Sequence, residues 1–237
     1  MNFTDKEILI TGASGGLGKT FINYCLEQNV KKIYCCARNI ENLQKLYSSN
    51  EKVEILTLDI TKQSDIDNVA KSINSIDILI NNAGFNSEKR IFEIFSNDFE
   101  INTFGTLKVS KTLSSKIKQT GKIITINSIL AFINLPTMAL YCASKSALHS
   151  IMQAFRAELQ NRQIEVYEVF PGPIDTSMAE NLQMPKTSPR QIVEKSFEAL
   201  ENKTFEVFPD DFSQNIYSML KTNQKELEKE FASSVQQ

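Results

Sequence analysis

Residues 8–18 read Ile-Leu-Ile-Thr-Gly-Ala-Ser-Gly-Gly-Leu-Gly, an apolar run that passes directly into a glycine-rich turn. Helix-forming residues follow, so the turn joins a predicted strand to a predicted helix. Glycines in such a turn let backbone N–H groups approach a pyrophosphate, which then lies at the positive end of the helix. The spacing Gly-x-x-x-Gly-x-Gly differs from the commoner Gly-x-Gly-x-x-Gly fingerprint. The stretch predicts a dinucleotide-binding turn, and a merely tight strand-to-helix turn is the alternative.

Short β-branched runs alternate with helix-period stretches as far as Phe170, which predicts an α/β fold with repeated βαβ units around a doubly wound parallel sheet of the Rossmann type. The predicted strands are Glu7 to Thr11, Lys32 to Ala37, Val53 to Leu58, Ile76 to Ile80, Lys122 to Asn127, Glu165 to Phe170 and a short Phe205 to Phe208. The predicted helices are Gly18 to Gln28, Ile40 to Ser48, Ser64 to Ser72, Asn97 to Gln119, Tyr141 to Arg162 and Pro189 to Glu201. No linker divides the chain, so residues 1–237 are expected to form a single domain.

The composition excludes several classes of function. The formal net charge is -2, with both signs interspersed, so no basic field marks a nucleic-acid-binding protein. No apolar run is long enough for a signal peptide or a membrane span, and the four cysteines lie inside apolar segments, which favours a cytoplasmic protein. The chain contains a single histidine, His149, and no Cys-x-x-Cys, so we expect no zinc or other metal site.

The end of the second predicted strand decides between NAD(H) and NADP(H) in a Rossmann site. It reads Tyr-Cys-Cys-Ala-Arg-Asn over residues 34–39, without the acid that would hold a ribose 2′-hydroxyl. Arg38 offers a charge-assisted pair with a 2′-phosphate instead. NADP(H) is therefore preferred over NAD(H), and the alternative for Arg38 is a solvated surface side chain.

Tyr141 and Lys145 are four residues apart on a predicted helix, so their side chains leave the same face. An ammonium near a phenol favours the phenolate, and Lys145 is therefore expected to lower the pKa of Tyr141. Ser128 follows the fifth long strand at the sheet edge where ligands bind. Its hydroxyl and that of Tyr141 would hydrogen-bond a developing alkoxide, to which Tyr141 delivers a proton. The pair alone would be a weak signal, but its place after this strand strengthens it.

Taken together, these segments resemble the short-chain dehydrogenase/reductase family from about Lys6 to Thr176. The matching segments are Thr11-Gly12-x-x-x-Gly16-x-Gly18, Asp59, Asn81-Asn82-Ala83-Gly84, the catalytic set Asn102, Ser128, Tyr141 and Lys145, and Pro171-Gly172-Pro173-Ile174-Asp175-Thr176. The coenzyme-binding residues predicted on this basis are Gly12, Ser14, Gly16, Leu17, Gly18, Arg38, Asp59, Ile60, Asn82, Ala83, Gly84, Tyr141, Lys145, Pro171, Gly172, Ile174 and Thr176. The order of the blocks is more specific than any one of them.

The resemblance implies a seven-stranded parallel sheet with three helices on each face. It implies that Asn102 positions a water in a proton relay from Lys145, and that Lys145 holds the nicotinamide ribose. It also implies that Thr176 and the Ile174 backbone hold the carboxamide. A homodimer, with a tetramer as the alternative, would pair two helices across a two-fold axis. The residues that could form the apolar face of this dimer are Ile151, Met152 and Phe155, and burial in the chain's own core is an equally weighted alternative for them.

Two segments are expected to shape a substrate site. Residues 177–187 form a predicted lid, and the residues 84–102 carry a series of aromatic side chains at Phe85, Phe92, Phe95 and Phe99. Neither segment supplies a charge cluster, which favours a small to medium, partly apolar carbonyl or alcohol. The amphipathic tail near 211–235 would cap the domain or meet a partner.

Two other functions compete with an NADP(H)-dependent oxidoreductase. A dinucleotide-sensing protein would keep the fold without turnover, although such proteins usually lose the tyrosine or the lysine. An interaction module that uses the tail would leave the glycine turn unexplained. Cys142 is interpreted as a small buried filler and His149 as packed or partly exposed, because no partner motif accompanies either residue.

Overall fold

The computed structural model describes residues 3–93 and 97–235. Within them one sheet contains seven strands, β1 (Glu7–Thr11), β2 (Lys32–Ala37), β3 (Val53–Thr57), β4 (Ile76–Asn81), β5 (Ile117–Ile126), β6 (Glu165–Val169) and β7 (Glu206–Val207). Every neighbouring pair is parallel, and the strand order is β3-β2-β1-β4-β5-β6-β7. The doubly wound Rossmann-type sheet predicted from the sequence is confirmed.

Eight α-helices accompany the described part of the sheet: α1 (Gly16–Glu27), α2 (Glu41–Tyr47), α3 (Gln63–Ser72), α4 (Thr106–Ser114), α5 (Ala139–Glu158), α6 (Pro189–Asn202), α7 (Asp211–Thr222) and α8 (Gln224–Ala232). A π-helix, Phe99–Gly105, runs directly into α4. Short 3₁₀ turns lie at Ile129–Ala131, Pro136–Met138, Gln160–Arg162, Ser177–Ala179 and Ser233–Val235.

The strands are apolar on both faces, because helices cover both sides of a parallel sheet. In β1, Ile8 and Ile10 point to the side covered by α1, α2 and α6, while Leu9 points to the side covered by α3, α4 and α5. All three side chains are fully buried. The chain therefore has three helices on each face, as the family resemblance implied.

The long helix predicted over Asn97 to Gln119 is wrong at both ends. Its first part is the π-helix, and its last residues belong to β5, which begins at Ile117 and pairs with Ile76. The strand is irregular there, with Thr120 at a positive φ of 64°. A Cβ on the next residue, Gly121, would lie 2.5 Å from Ile117, so only glycine fits this bend. The apolar residues of β5 therefore have a helical spacing in the sequence without forming a helix.

Helices α7 and α8 pack on the chain's own sheet edge. Asp210 caps α7 by accepting a hydrogen bond from the Ser213 N–H at 2.8 Å. Leu227 of α8 is fully buried in a cluster with Ile129, Ile133 and Ile216. Leu227 and Ile216 thus anchor the tail to the chain's own domain.

Two further features bear on the sequence predictions. Met152 is fully buried in the chain's own core, whereas Ile151 and Phe155 are partly buried beside it. Core burial therefore holds for Met152 among the three residues suggested for a dimer interface. Within the described ranges, none of the helices combines the length and the apolarity needed to cross a bilayer.

Candidate active site

A cleft of about 1090 Å³ opens at the carboxyl ends of the strands, where the strand order reverses between β1 and β4. Ligands bind at this switch point in open α/β sheets. Every residue predicted to contact coenzyme lines the cleft, together with Ser128. One side, here called the turn end, is lined by the glycine turn, Arg38 and Asp59. The other, here called the tail end, is lined by residues that include Phe212 and Phe231.

The glycine turn is held in its shape by close backbone packing. Gly12 has a φ of +64°, and a Cβ there would lie 2.7 Å from the Ala83 Cα. A Cβ on Gly18 would lie 2.4 Å from the Gly12 carbonyl oxygen. No side chain fits at either position, so these two glycines are required by the turn itself.

Asn82 and Thr11 fasten β4 to this turn. The Thr11 hydroxyl accepts hydrogen bonds from the backbone N–H groups of Asn82 and Ala83, at 3.0 and 3.1 Å. The Asn82 amide donates to the carbonyls of Thr11 and Gly12, at 2.9 and 3.0 Å. The amide of Asn82 thus serves the turn, although its residue also lines the cleft.

The first turn of α1 has the properties of an anion cradle. Gly15 precedes the helix without a side-chain cap, and no acidic residue lies in the first turn, so the helix N-terminus keeps its positive potential. Gly16 lines the cleft opposite Thr176, whose Cγ2 a Cβ at position 16 would approach to 3.0 Å. The cleft, the uncapped helix and the small residues fit a pyrophosphate group.

Arg38 and Asp59 face the turn end from the ends of β2 and β3. Arg38 is exposed, whereas Asp59 is half-buried. Burial opposes ionisation of Asp59. Hydrogen bonds from the Thr61 hydroxyl and N–H favour the carboxylate, and so do the positive charges of Lys62 and Arg38. Together they outweigh burial, so the pKa of Asp59 is lowered. The turn end therefore presents the exposed guanidinium of Arg38 and the fixed carboxylate of Asp59.

Ser128 and Tyr141 both line the cleft, and the Ser128 side chain lies close enough to Tyr141 to affect its pKa. Ser128 lies just beyond β5, where its Oγ also accepts the Leu130 N–H at 3.2 Å. Burial raises the pKa of Tyr141 to about 12, although the contact with Ser128 lowers it. The net shift is upward rather than downward, because burial disfavours the phenolate, and Lys145 is not among the groups that shift this pKa. Tyr141 is therefore protonated at neutral pH and suited to act as an acid.

Lys145 is almost fully buried one helical turn beyond Tyr141. Its Nζ donates to the Ile126 carbonyl at 2.9 Å and lies 5.8 Å from the centre of the Tyr141 ring. Burial lowers the pKa of Lys145 to about 8, and the Glu168 carboxylate opposes that shift. The lysine thus titrates close to physiological pH, which is the range useful for proton transfer.

Asn102 lies behind the cleft rather than on its wall. It is fully buried in the π-helix, and its Nδ2 donates to the Phe85 carbonyl at 2.8 Å and to the Ser144 Oγ at 2.9 Å. Ser144 in turn donates to the Tyr141 carbonyl at 2.7 Å. A π-helical turn, which often marks a functional position, thus links Asn102 to the helix that carries Tyr141 and Lys145.

The tail end of the cleft is apolar. Its lining includes Leu130, Leu135, Met138, Met178, Leu182, Met184, Phe212 and Phe231. Among the described residues there, Glu230 is the one charged side chain. Of the aromatic residues predicted for the segment after Gly84, Phe85 lines the cleft, Phe92 is fully exposed, and Phe95 lies outside the described residues.

Two buried acids near the site were missed in the sequence. Asp98 is fully buried, accepts the Ser87 N–H at 3.2 Å and contributes to the raised pKa of Tyr141. Glu168 is fully buried in β6 and accepts from the Asn127 amide at 3.0 Å. A signal was present, since His149, which contacts Glu168, continues the four-residue spacing of Tyr141 and Lys145.

His149, Glu168 and Glu206 bring their ligand-type atoms within 4.8 Å of one another. No metal site was expected from the sequence, because the chain has a single histidine and no Cys-x-x-Cys. The Arg156 guanidinium already lies between the two acids, 3.6 Å from Glu168 and 3.9 Å from Glu206. A positive charge is therefore supplied there by a side chain. Cys142, by contrast, is a buried thiol whose pKa burial raises to about 11, as suits a filler.

Known proteins resemble this chain in sequence. A family profile described as short chain dehydrogenase matches residues 6–187. An uncharacterized oxidoreductase of Staphylococcus epidermidis is 32% identical over 187 residues, covering 74% of this chain and 81% of that protein. Dehydrogenase/reductase SDR family member 7 of Homo sapiens is 30% identical over 197 residues, covering 75% of this chain and 58% of that protein.

Solved structures resemble it in fold. A short chain dehydrogenase from Burkholderia cenocepacia, in complex with NADP, superposes with a TM-score of 0.91 at 32% identity, covering 98% of this chain and 99% of the other. A short chain dehydrogenase/reductase from Burkholderia phymatum, in complex with NAD, gives a TM-score of 0.82 at 18% identity, covering 97% and 96%. The second likeness shows the fold alone.

Proposed function

Since the chain belongs to the short-chain dehydrogenase/reductase family and is an oxidoreductase of that family, we propose that it uses NADP(H) to interconvert a carbonyl compound and its alcohol. The observation that carries the proposal is the meeting of Ser128, Tyr141 and Lys145 on the wall of the cleft. The bound coenzyme would supply or accept the hydride. A dinucleotide sensor without turnover is not favoured, because the chain keeps the tyrosine, the lysine and their hydrogen-bonding surroundings.

Residues on both sides of the cleft would hold the coenzyme. The N–H groups of the first turn of α1, next to Gly15 and Gly16, would bind the pyrophosphate. Asp59 and Ile60 would flank the adenine side, and Thr176 with the Ile174 backbone would hold the carboxamide. The remaining proposed contacts, all on the cleft wall, are Gly12, Ser14, Leu17, Gly18, Asn82, Ala83, Gly84, Tyr141, Lys145, Pro171 and Gly172.

Tyr141 would deliver the proton in the direction of reduction. Its phenol is protonated at neutral pH, since burial raises the pKa to about 12, and the substrate oxygen takes this proton as it becomes an alcohol. Ser128 would hydrogen-bond the same oxygen while negative charge develops there. The Lys145 ammonium would stabilise the phenolate left behind, and Asn102 would hold the helix segment from which both side chains project.

The preference for NADP(H) rests on Arg38. Its guanidinium lines the turn end of the cleft, and no carboxylate replaces it at the end of β2. A ribose 2′-phosphate would pair with it bidentately, whereas a 2′-hydroxyl would gain much less. The relative from Burkholderia cenocepacia, which holds NADP, is consistent with this choice.

The substrate would be small to medium in size and partly apolar. The tail end of the cleft offers leucine, methionine and phenylalanine side chains, and its one charged residue among those described is Glu230. A carboxylate or phosphate substrate would find no cation there to pair with. The segment 177–187 would act as the lid, since the Asp175 N–H, just before the segment, donates at 2.9 Å to the carbonyl of Thr187 at its end.

We also propose that residues 1–237 act as one domain, with the tail of 211–235 as a wall of the substrate site. The chain would form a homodimer, or a tetramer. It would function in the cytoplasm on small molecules, without nucleic acid, membrane or metal.

The proposal is tested by titrating the purified protein with NADPH and with NADH. The better complex is then mixed with a panel of aldehydes, ketones and quinones while nicotinamide absorbance is followed. Tighter binding of NADPH and its oxidation by a panel member are expected. Absence of coenzyme binding would contradict the proposal.

A further inference from the structure

The buried carboxylate of Glu168 has no place in the reaction as described so far. It lies in β6, fully buried, and holds three polar neighbours. The Asn127 amide donates to its Oε1 at 3.0 Å, the His149 Nδ1 lies 2.9 Å from its Oε2, and an Arg156 nitrogen lies 3.6 Å from the same oxygen. A buried acid with this number of partners is costly unless each of them is in place.

Glu168 faces the catalytic lysine from the neighbouring strand. Lys145 and His149 are one turn apart on α5. His149 contacts Glu168 directly, while the Lys145 Nζ donates to the carbonyl of Ile126 on β5, next to Thr125, which pairs with Glu168 in the sheet. The negative charge of Glu168 opposes the loss of the Lys145 proton, which burial alone would favour. The carboxylate therefore acts against the desolvation of the lysine.

Glu168 also reaches the serine through Asn127. The Asn127 Oδ1 accepts the Ser128 N–H at 3.0 Å, while its Nδ2 donates to Glu168. The asparagine side chain is thus fixed at both ends and orients the Ser128 backbone. The Ser128 hydroxyl in turn contacts Tyr141.

The charged groups around this carboxylate come from α5 and β7. Lys145, His149 and Arg156 face it from α5, and Glu206 of β7 approaches Arg156 at 3.9 Å. The hydrogen bond to Glu168 raises the pKa of His149. The rings of Phe132 and Phe170 pack on His149, with centroids at 4.9 and 5.2 Å.

We propose that Glu168 is a positioning residue for the oxidoreductase reaction: its charge stabilises the Lys145 ammonium, and its hydrogen bond to Asn127 orients Ser128. This inference rests on the proposed function and extends it to a residue that contacts neither substrate nor coenzyme. Arg156 moderates the same charge from the far side. Removing Glu168 or Arg156 should therefore change the titration of Lys145 in opposite directions.

The test compares Glu168→Gln with Arg156→Gln. The Glu168→Gln amide has the size of the carboxylate and can still accept from Asn127, so it keeps that contact, removes the charge and presents an NH2 group to His149 and Arg156. The first readout is the NADPH dissociation constant as a function of pH. Wild-type affinity should weaken as pH rises past about 8, where Lys145 loses its proton. In Glu168→Gln this weakening should begin about one pH unit lower, and in Arg156→Gln at a higher pH.

The second readout is the pH profile of kcat/KM with a substrate from the panel, in which the same two displacements are expected. Glu165→Gln is the matched control, because Glu165 lies at the opposite end of β6 and pairs with Lys122 and Tyr167. Its profile should superpose on the wild type. Glu168→Asp, which keeps the negative charge, should have a pH midpoint closer to the wild-type value than that of Glu168→Gln.

The outcomes separate the two proposals. If the wild type binds neither coenzyme, the proposed function itself fails. If it binds NADPH but Glu168→Gln and Arg156→Gln leave the midpoint unchanged, or move it in the same direction, the role of Glu168 is overturned. Opposite displacements support it, because a purely structural residue would alter affinity without this pattern of sign.

Discussion

Asn102 and Phe85 are joined by two hydrogen bonds of 2.8 Å, since the Phe85 N–H donates to Asn102 Oδ1 and Asn102 Nδ2 donates to the Phe85 carbonyl. This reciprocal pair fixes the loop after β4 to the π-helix. It also leaves one Asn102 donor contact for Ser144. The side chain thus fills a structural position as well as the catalytic one expected of it.

Asn102→Ala should lower the free energy of unfolding by about 2 kcal/mol, because the two partly buried Phe85 backbone groups and the buried Ser144 hydroxyl lose their partner. Urea unfolding measures this loss. Asn97→Ala is the control, since Asn97 is exposed just before the π-helix and should change stability little. Equal stabilities for the two variants would contradict the assigned role.

Tyr141→Phe should bind NADPH normally and lose turnover by about 10²- to 10⁴-fold, because the acid is removed while the ring remains. Steady-state rates and a coenzyme titration measure the two quantities separately. Tyr24→Phe is the control, because Tyr24 is not part of the cleft lining and its ring stacks on Phe197, with the ring centroids 4.9 Å apart. A near-normal rate in Tyr141→Phe would exclude the tyrosine as the acid.

Arg38→Ala should weaken NADPH binding by about 10- to 100-fold, since a charge-assisted pair with the 2′-phosphate is lost. NADH binding should change little. Titrations with both coenzymes give the ratio directly. Arg190→Ala is the control. It removes an exposed arginine that pairs with Glu27 and Glu194, and it should change the affinity for neither coenzyme. Equal losses for both coenzymes in Arg38→Ala would mean that Arg38 does not recognise the phosphate.

Lys145→Met should stabilise the protein at pH 7 by about 2 kcal/mol, since burial of the ammonium costs more than its hydrogen bond to Ile126 returns. The pKa is about 8 when folded, against 10.5 for the unperturbed side chain. Between these values the unfolded chain binds the additional proton, so wild-type stability rises with pH.

The advantage of Lys145→Met should therefore shrink toward pH 10, as urea unfolding at the two pH values would measure. Lys62→Met, at a largely exposed lysine, serves as the control and should show no such trend. A constant difference between pH 7 and pH 10 would contradict a lowered pKa.

Phe231→Ala should raise KM for apolar substrates by about fivefold to tenfold, because an aromatic wall of the tail end is removed. The NADPH dissociation constant should stay the same, since the turn end is untouched. Lys229→Ala, on the exposed side of the same helix, is the control. A parallel loss of NADPH affinity would show that the tail supports the whole cleft instead.

The strands of the sheet were predictable because their signal is local. Runs such as Ile8 to Ile10 are apolar on both faces and end at turn residues, so β1 and β2 have the predicted bounds. The structure of the segment from Asn97 to Gln119 was not predictable, because its apolar spacing is typical of a helix whereas its last part pairs with β4. Only the tertiary contacts of Ile117 and Gly121 distinguish the two.

The site was predictable where family motifs mark it. The glycine turn, Arg38 and the residues around Tyr141 all line one cleft, as their positions after successive strands suggested. Glu168 was missed, because a single acid in an apolar strand has no motif, and the one indirect signal was the position of its partner His149 one turn beyond Lys145. The direction of the Tyr141 pKa was also missed, since burial cannot be read from residue spacing.

The reversal of strand order between β1 and β4 divides the sheet into two halves, and the cleft takes residues from each. Neither half encloses the binding groove by itself, so a fragment that ends after β3 should carry no usable site. A dinucleotide bound in the cleft would contact both halves of the sheet and hold them together. It would make the halves unfold more cooperatively and raise the melting temperature with ligand concentration.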